Sequence, residues 1–264
     1  MRFTKMHGLG NDYLYVYGEV PDNIEEISKK LSDRHFGAGS DGMIYISPSE
    51  TADFKMRIFN ADGSEAKMCG NGIRCVGKYL YDKGYTDKTR LKIETLSGTK
   101  ILDMKVRRGK VKSVTVGMGK AETGDDLALV LMDQEITGMP VSVGNPHFVI
   151  FTEDIENIPL YTLGPLIEKH RQFPDGVNVE FVRPMEDGSL RMRVWERGSG
   201  VTLACGTGAC ASAAAAVKKG FCRQSSPVSV FLDGGRLDIT VEGDGTVKMT
   251  GPAEMIYEGE TAVC

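Results

Sequence analysis

Two short stretches set the problem: Met68-Cys69-Gly70-Asn71-Gly72-Ile73-Arg74-Cys75 and Ala204-Cys205-Gly206-Thr207-Gly208-Ala209-Cys210. Each writes a cysteine, then Gly-x-Gly, then a run with helical spacing. In the first run, 73–83, Ile73, Val76, Gly77 and Leu80 fall on one face of a helix. The second run, 209–219, is almost entirely small residues. Such a helix suits burial inside a strongly curved sheet, where a bulky one would not fit. Gly84 and Gly220 close the two runs as C-cap glycines.

The likeness extends well beyond these stretches. Cys205 follows Cys69 by 136 positions, and Gly220 follows Gly84 by the same 136. Arg57-Ile58-Phe59-Asn60 matches Arg193-Val194-Trp195-Glu196 at that offset. Gly10-Asn11-Asp12 echoes Gly144-Asn145-Pro146, and Gly39-Ser40-Asp41 echoes Gly176-Val177-Asn178. Matches in one order along both halves argue for a duplicated domain, and the period is far too long for a solenoid. Alternating segments such as 54–59 and 190–195 read as half-buried strands, as do 91–96, 111–116, 228–232 and 237–241. Shorter helices are expected over 24–34 and 163–172. The join between the halves falls near 117–124, giving domains 1–117 (with 252–264 returning to it) and 118–251.

Composition bounds the function. The 264 residues are 41% hydrophobic and 26% charged, ordinary for a globular protein. No apolar run is long enough to cross a bilayer, and the first residues, MRFTKMHGLGNDY, lack the apolar core of a signal peptide. A cytoplasmic location is the default expectation. The net charge of -4, with both signs scattered, argues against a nucleic-acid or anionic-membrane partner. The 6 cysteines read as free thiols, and their spacings fit no zinc signature.

Glycines after a cysteine at a helix start leave backbone N–H groups open. Such a site binds anions, and the same field lowers the pKa of a thiol placed there. One such cysteine is more often a small buried hydrophobe. A matched pair, each beside Gly-x-Gly, favours function. Cys75 and Cys210 lie inside their helices and read as core; Cys222 and Cys264 carry no signal. Two helix starts could hold one carboxylate while two thiols flank the carbon bonded to it. One thiolate would remove a proton as the opposite thiol supplied one, inverting the centre with no cofactor and no metal. His7-Gly8-Leu9-Gly10-Asn11 holds only a lone Gly-x-Gly, so no nucleotide loop is evident.

FNADGSEAKMCGNGIRC (59–75) and ERGSGVTLACGTGAC (196–210) resemble the two signature segments of the diaminopimelate epimerases. MHGLGNDY, SVGNPHFV and FPDGVNVEF are similar to further segments of that family, and the resemblance runs from Met1 to Gly259. It implies an α+β fold of two pseudo-symmetric domains, each a curved mixed β-sheet wrapped round a central helix. It implies interconversion of LL- and meso-diaminopimelate, a small amino-acid substrate, in lysine and cell-wall precursor biosynthesis. Cys69 and Cys205 would be the acid/base thiols. Backbone amides of Gly70, Asn71, Gly206 and Thr207 would hold the carboxylate at the reacting centre. Asn11, Asn60, Asn145, Asn178, Glu196 and Arg197 would bind the rest, and His147 and Glu196 would tune the thiols. Members form homodimers, with the position of Tyr257 at the contact. One departure stands out: many bacterial members carry Gln where this chain has Gly42.

Taken singly, the assigned polar residues have plainer readings. Asn11 and Asn60 could be turn formers, His147 a core histidine and Arg197 half of a surface pair. Three other functions remain open. A proline or hydroxyproline racemase also uses two cysteines, but Arg197 and the asparagines favour a longer substrate. A cysteine acyl-transferase would use Cys69 and His147 and leave Cys205 unexplained. A non-catalytic module would merely hold an anion.

Overall fold

The computed structural model describes residues 1–262; Cys264 lies outside them. The chain forms two compact units, Met1–Val116 with the C-terminal segment from Gly251, and Gly117–Thr250. The first unit runs β1 (Arg2–Gly8), β2 (Asn11–Tyr17), α1 (Ile24–Ser32), β3 (Gly42–Pro48), β4 (Phe54–Asn60), β5 (Glu65–Ala66), α2 (Gly70–Asp82), β6 (Arg90–Glu94), β7 (Lys100–Arg107) and β8 (Lys110–Lys120). The second continues with β9 (Glu122–Thr123), β10 (Leu127–Leu131), β11 (Gln134–Ser142), β12 (Pro146–Phe151), α3 (Leu160–Glu168), β13 (Asn178–Pro184), β14 (Leu190–Glu196), β15 (Gly200–Val201), α4 (Gly206–Lys218), β16 (Val228–Leu232), β17 (Gly235–Val241) and β18 (Thr246–Gly251). Then β19 (Glu254–Glu260) returns to the first unit and pairs antiparallel with β1.

Each unit repeats one pairing order. In the first, β1–β2 is antiparallel, β2–β3 parallel, β3–β4 antiparallel, β4–β6 parallel, and β6–β7–β8 antiparallel. In the second, β11–β12 is antiparallel, β12–β13 parallel, β13–β14 antiparallel, β14–β16 parallel, and β16–β17–β18 antiparallel. This is the mixed-sheet α+β architecture that the repeat and the family resemblance imply.

The parallel pair is buried on both faces, as parallel strands usually are. In the first unit Leu14, Val16, Met43 and Tyr45 face α1, whose Ile24, Ile27 and Leu31 recur at helical spacing. The alternate residues Tyr15 and Ile44 face α2: the Tyr15 hydroxyl donates to Gly72 O at 3.2 Å. In the second unit Phe148, Ile150, Val179 and Phe181 join Leu160 and Ile167 of α3 in one cluster. Burying each such side chain contributes roughly 1.5–3 kcal/mol. Helix α4 is the enclosed one. It touches β9, β11, β12, β13, β14, β16 and β17, and Ala209 through Ala216 are all buried. Side chains of one or two heavy atoms let these strands approach it.

The helices start earlier than their sequence pattern suggests. Those expected from Ile73 and Ala209 begin at Gly70 and Gly206, so the Gly-x-Gly residues form the first turns. Helix α3 covers 160–168 rather than 163–172, with Pro159 at its N-cap. Both long helices end as read: Gly84 and Gly220 follow the C-caps Lys83 and Lys219 at φ +79.

Gly42 explains the departure from the family pattern. It opens β3 at φ +154, and a Cβ there would lie 2.1 Å from Phe59 O across the ladder. No side chain fits without moving β4. Gly42→Ala and Gly42→Gln should each lower stability by about 2 kcal/mol or more. Denaturant unfolding reads this directly; an unchanged midpoint would mean that β3 relaxes freely.

Candidate active site

Each cysteine caps its own helix. Cys69 is the N-cap of α2 with extended backbone, and its sulfur accepts from Gly72 N at 3.2 Å. Cys205 is the N-cap of α4, and its sulfur accepts from Gly208 N at 3.3 Å. The third amide of each helix is therefore spent on sulfur and is not left open. The next amides return to the ladder, Ile73 N to Cys69 O and Ala209 N to Cys205 O, at 2.9 and 3.0 Å. Gly70 and Asn71, and Gly206 and Thr207, occupy the first two helical positions, whose amides have no acceptor within a helix.

In the first unit the Cys69 thiol donates to Asn11 Oδ1 at 3.3 Å. Asn11 is oriented from behind by Asp41, which accepts from Nδ2 at 2.8 Å. Arg34 bridges Asp41 and Asp12 at 2.9 and 2.8 Å, and Lys5 adds a contact to Asp12 at 3.0 Å. Burial works to raise the Asp12 carboxyl, but its bonds and charge pairing with Arg34 and Lys5 hold it below the usual range. Tyr13 lies beside Cys69, and its phenol is raised by burial and then by that thiol's charge. Arg74 is fully buried in the first turns of α2. It donates to Gly70 O at 3.1 Å, Asn71 Oδ1 at 3.0 Å and Pro252 O at 3.1 Å. Asn71 is thereby fixed by a buried cation. Asn60, at the end of β4, donates to Ser64 Oγ at 3.0 Å. Tyr257 lies on β19, its ring packed edge-on to Phe3 at 6.1 Å.

The second unit carries a different set of charges. His147 is buried between Glu180, whose Oε1 lies 2.7 Å from Nδ1, and Asn145, whose Oδ1 lies 3.0 Å from Nε2. Asn145 Nδ2 donates to Thr207 Oγ1 at 3.3 Å, and that hydroxyl stands 3.6 Å from the Cys205 sulfur. Glu196 accepts from the Thr202 hydroxyl. Burial pushes the Glu196 carboxyl up, against hydrogen bonds from Thr202 and Cys205. Asn178 is spent within the protein: Nδ2 donates to Pro146 O at 2.8 Å and Oδ1 accepts from Arg197 N at 3.0 Å. It thus anchors Arg197, whose guanidinium is exposed and donates to Asp175 O at 3.0 Å.

The helix-start field does not decide the Cys205 thiol. Cys205 is 5% exposed. Its pKa is raised well above the ordinary thiol value, first by burial and then by the carboxylates of Glu196 and Glu180. The Thr207 hydroxyl and the Gly208 amide pull the other way and lose. This corrects the sequence reading, which expects a lowered thiol at such a helix start.

Tyr13, Asp41, Arg74, Glu180 and Thr202 were not singled out from sequence. Glu180 was within reach of it: the offset of 136 that pairs the cysteines pairs Glu180 with Ile44. A Cβ on Gly72 would lie 2.7 Å from Ile44 Cδ1, and one on Gly208 would lie 2.6 Å from Glu180 Oε1. The same slot against the helix start holds an alkyl group in one unit and a carboxylate in the other.

Known proteins bear out the family resemblance. The diaminopimelate epimerase family profile matches residues 3–124 and 139–256. A diaminopimelate epimerase of Methanococcus maripaludis is 53% identical, with 98% of this chain and 99% of that protein aligned. One from Bacillus subtilis is 49% identical over 98% of this chain and 97% of its own. Solved structures with the same fold include a hydroxyproline epimerase from Agrobacterium vitis, at TM-score 0.74 and 19% identity, covering 99% of this chain and 90% of that one. A Bacillus anthracis phenazine biosynthesis protein of the PhzF family superposes at TM-score 0.78 and 15% identity, covering 100% and 99%. The fold reaches across several activities, whereas the near relatives and the profile agree on one: the chain belongs to the diaminopimelate epimerase family and is an isomerase of the epimerase class.

Proposed function

We propose that this chain interconverts LL- and meso-diaminopimelate by moving protons between Cα and two thiols, Cys69 and Cys205, with no cofactor. The observation that carries the reading is the pair of sulfur-capped helix starts, one in each unit. The reaction needs one acid and one base on opposite faces of a single carbon, and each unit supplies one capped thiol. The amides of Gly70, Asn71, Gly206 and Thr207 would then receive the α-carboxylate. One helix terminus offers roughly 0.3–1 kcal/mol when exposed, and positioned acid–base catalysis adds about 10²–10⁴ in rate. Reaching the roughly 10⁶ an enzyme requires asks for a dry, preorganised site, which the buried surroundings of Cys205 support.

Proton placement follows from the charges. Cys205, raised by burial and two carboxylates, suits the acid in the free chain. Cys69 would then serve as the base. At the far end Arg197 would take the distal carboxylate with its planar fork, and Asn11, Asn60 and Asn145 would complete recognition. Asn178 would act by holding the Arg197 backbone. The same reading places the chain in lysine and cell-wall precursor supply, in the cytoplasm, acting on a small molecule rather than nucleic acid. Among the described residues no helix is long and apolar enough to cross a membrane. Exposed Met255, Ile256 and Tyr257 on β19 support a homodimer through that strand.

Purified protein should interconvert the two isomers with no added cofactor. Cys69→Ala and Cys205→Ala should each lose at least about 100-fold in turnover, while Cys75→Ala mainly costs stability. Substantial turnover by Cys205→Ala would overturn the two-thiol reading. Arg197→Lys should lose activity despite keeping its charge, and wild type should barely exchange the Cα proton of lysine or proline. Equal handling of proline would favour a simple racemase.

The charge reading has its own test. Glu196→Gln removes the carboxylate with the larger effect on the Cys205 thiol, so its ionisation should move to lower pH. Iodoacetamide labelling of Cys205, followed by peptide mass spectrometry across pH, should then begin at lower pH than in wild type. An unmoved profile would leave burial and Glu180 as the causes.

A further inference from the structure

One hairpin carries more charge than its fold needs. The stretch Lys105-Val106-Arg107-Arg108-Gly109-Lys110-Val111-Lys112 joins β7 to β8 and holds five cations and no carboxylate, in a chain whose net charge is -4. All five cations are exposed. Among the described residues none of the five forms an ion pair. The neighbouring carboxylates Asp82 and Asp103 are taken by Lys78 at 2.8 Å and Arg90 at 3.6 Å.

The arrangement works against stability at two points. Arg107 and Lys110 stand directly opposite each other across the ladder, where like charges repel. The two-residue turn puts Arg108 at φ +52 before Gly109 at φ +68, a left-handed position that asparagine or glycine occupies at less cost. Beyond the turn the register shifts. Val106 faces Val111 and Lys105 faces Ser113, so Lys112 is an extra residue that the bulge adds to the exposed side.

The duplicated frame demands none of this. In the second unit the matching β17–β18 pair keeps an unbroken register, and its turn carries Glu242 and Asp244. There Glu242 pairs with Lys248 at 2.9 Å, and Asp244 accepts from Thr246 N at 2.9 Å. Those charges serve their own turn, whereas the cations of the β7–β8 turn are left for something outside the chain.

Arg107, Arg108, Lys110 and Lys112 together line a hollow of about 310 Å³. We propose that this hollow binds a compact polyphosphate, either a free oligophosphate or the phosphate chain of a nucleotide. Four cations round so small a volume match the several negative charges that a triphosphate packs onto adjacent groups. Arg107 and Arg108 add planar forks that suit phosphate oxygens. An acidic peptide matches less well: carboxylates on one face of an extended strand lie about 7 Å apart, so the hollow takes too few of them. A nucleic-acid strand also matches less well, because no aromatic side chain stands between 100 and 118 to stack on its bases. Lys110 Nζ donates to Asp82 O, at the C-terminal end of α2, at 3.3 Å. Helix α2 is about 20 Å long, so the hollow lies at the opposite end from Cys69 and does not depend on the epimerase reading.

Calorimetric titration of the full chain at low salt, with sodium tripolyphosphate as the probe and no added metal, tests the proposal. One equivalent should bind per chain, and added salt should weaken it. Arg107→Gln and Lys112→Gln should each weaken binding by about tenfold. If ATP binds as well as tripolyphosphate and adenosine does not bind, the ligand is the phosphate chain of a nucleotide; if tripolyphosphate alone binds, it is a free oligophosphate. Absence of saturable binding, or undiminished binding by both variants, would overturn the proposal. So would inorganic phosphate or an octaglutamate peptide binding as tightly as tripolyphosphate. Arg108→Asn separates ligand from fold: it relieves the left-handed arginine, so it should hold or raise the thermal unfolding midpoint while weakening tripolyphosphate. A lowered midpoint would make Arg108 a structural residue and count against the site.

Discussion

Everything at the two candidate centres hangs on one short contact, a sulfur accepting the third amide of the helix that it begins. Cys69 does this to Gly72 and Cys205 to Gly208. The bond fixes the rotamer of each thiol and points it along the helix entrance. It also explains the glycines. At position three a side chain would strike Ile44 in one unit and Glu180 in the other. The strands packed against each helix hold the cap in turn, so the position of the sulfur depends on the mixed sheet around it.

One frame has been given two electrical characters. Around Cys69 lie Asn11 and Tyr13, with the buried Arg74 holding Gly70 and Asn71 of the helix start and the Asp12–Asp41–Arg34–Lys5 network behind. Around Cys205 lie Glu196, Glu180 and His147. At the place of Arg74 the second copy has Cys210, and at the place of Ile44 it has Glu180. A duplication alone would give two equal thiols. These substitutions give the two thiols unequal surroundings.

The sequence carried the duplication, the strand-and-helix class and the two cysteines, because periodicity and fixed offsets survive in one dimension. The helix starts were misplaced by three residues. Glycine is a poor helix former, and its role in a sulfur-capped first turn follows from a three-dimensional clash. The Cys205 environment was legible only in part. Glu180 lies 33 positions from His147 and is brought there by the parallel pairing of β12 and β13. Asn178 shows the reverse case: its residue type suggested a ligand, but both ends of its amide are committed to Pro146 and Arg197. Gly42, read from sequence as a departure from the family pattern, is a place where β4 leaves no room for any side chain.

The central claim is that two thiols, one from each copy, serve opposite faces of one carbon. Turnover of a single isomer in D₂O tests it most directly. If one thiol removes the proton and the other delivers, the first product molecules carry deuterium at Cα while the remaining substrate stays unlabelled. Early deuterium in recovered substrate, ahead of product, would show one group exchanging a proton on one face and would contradict the account.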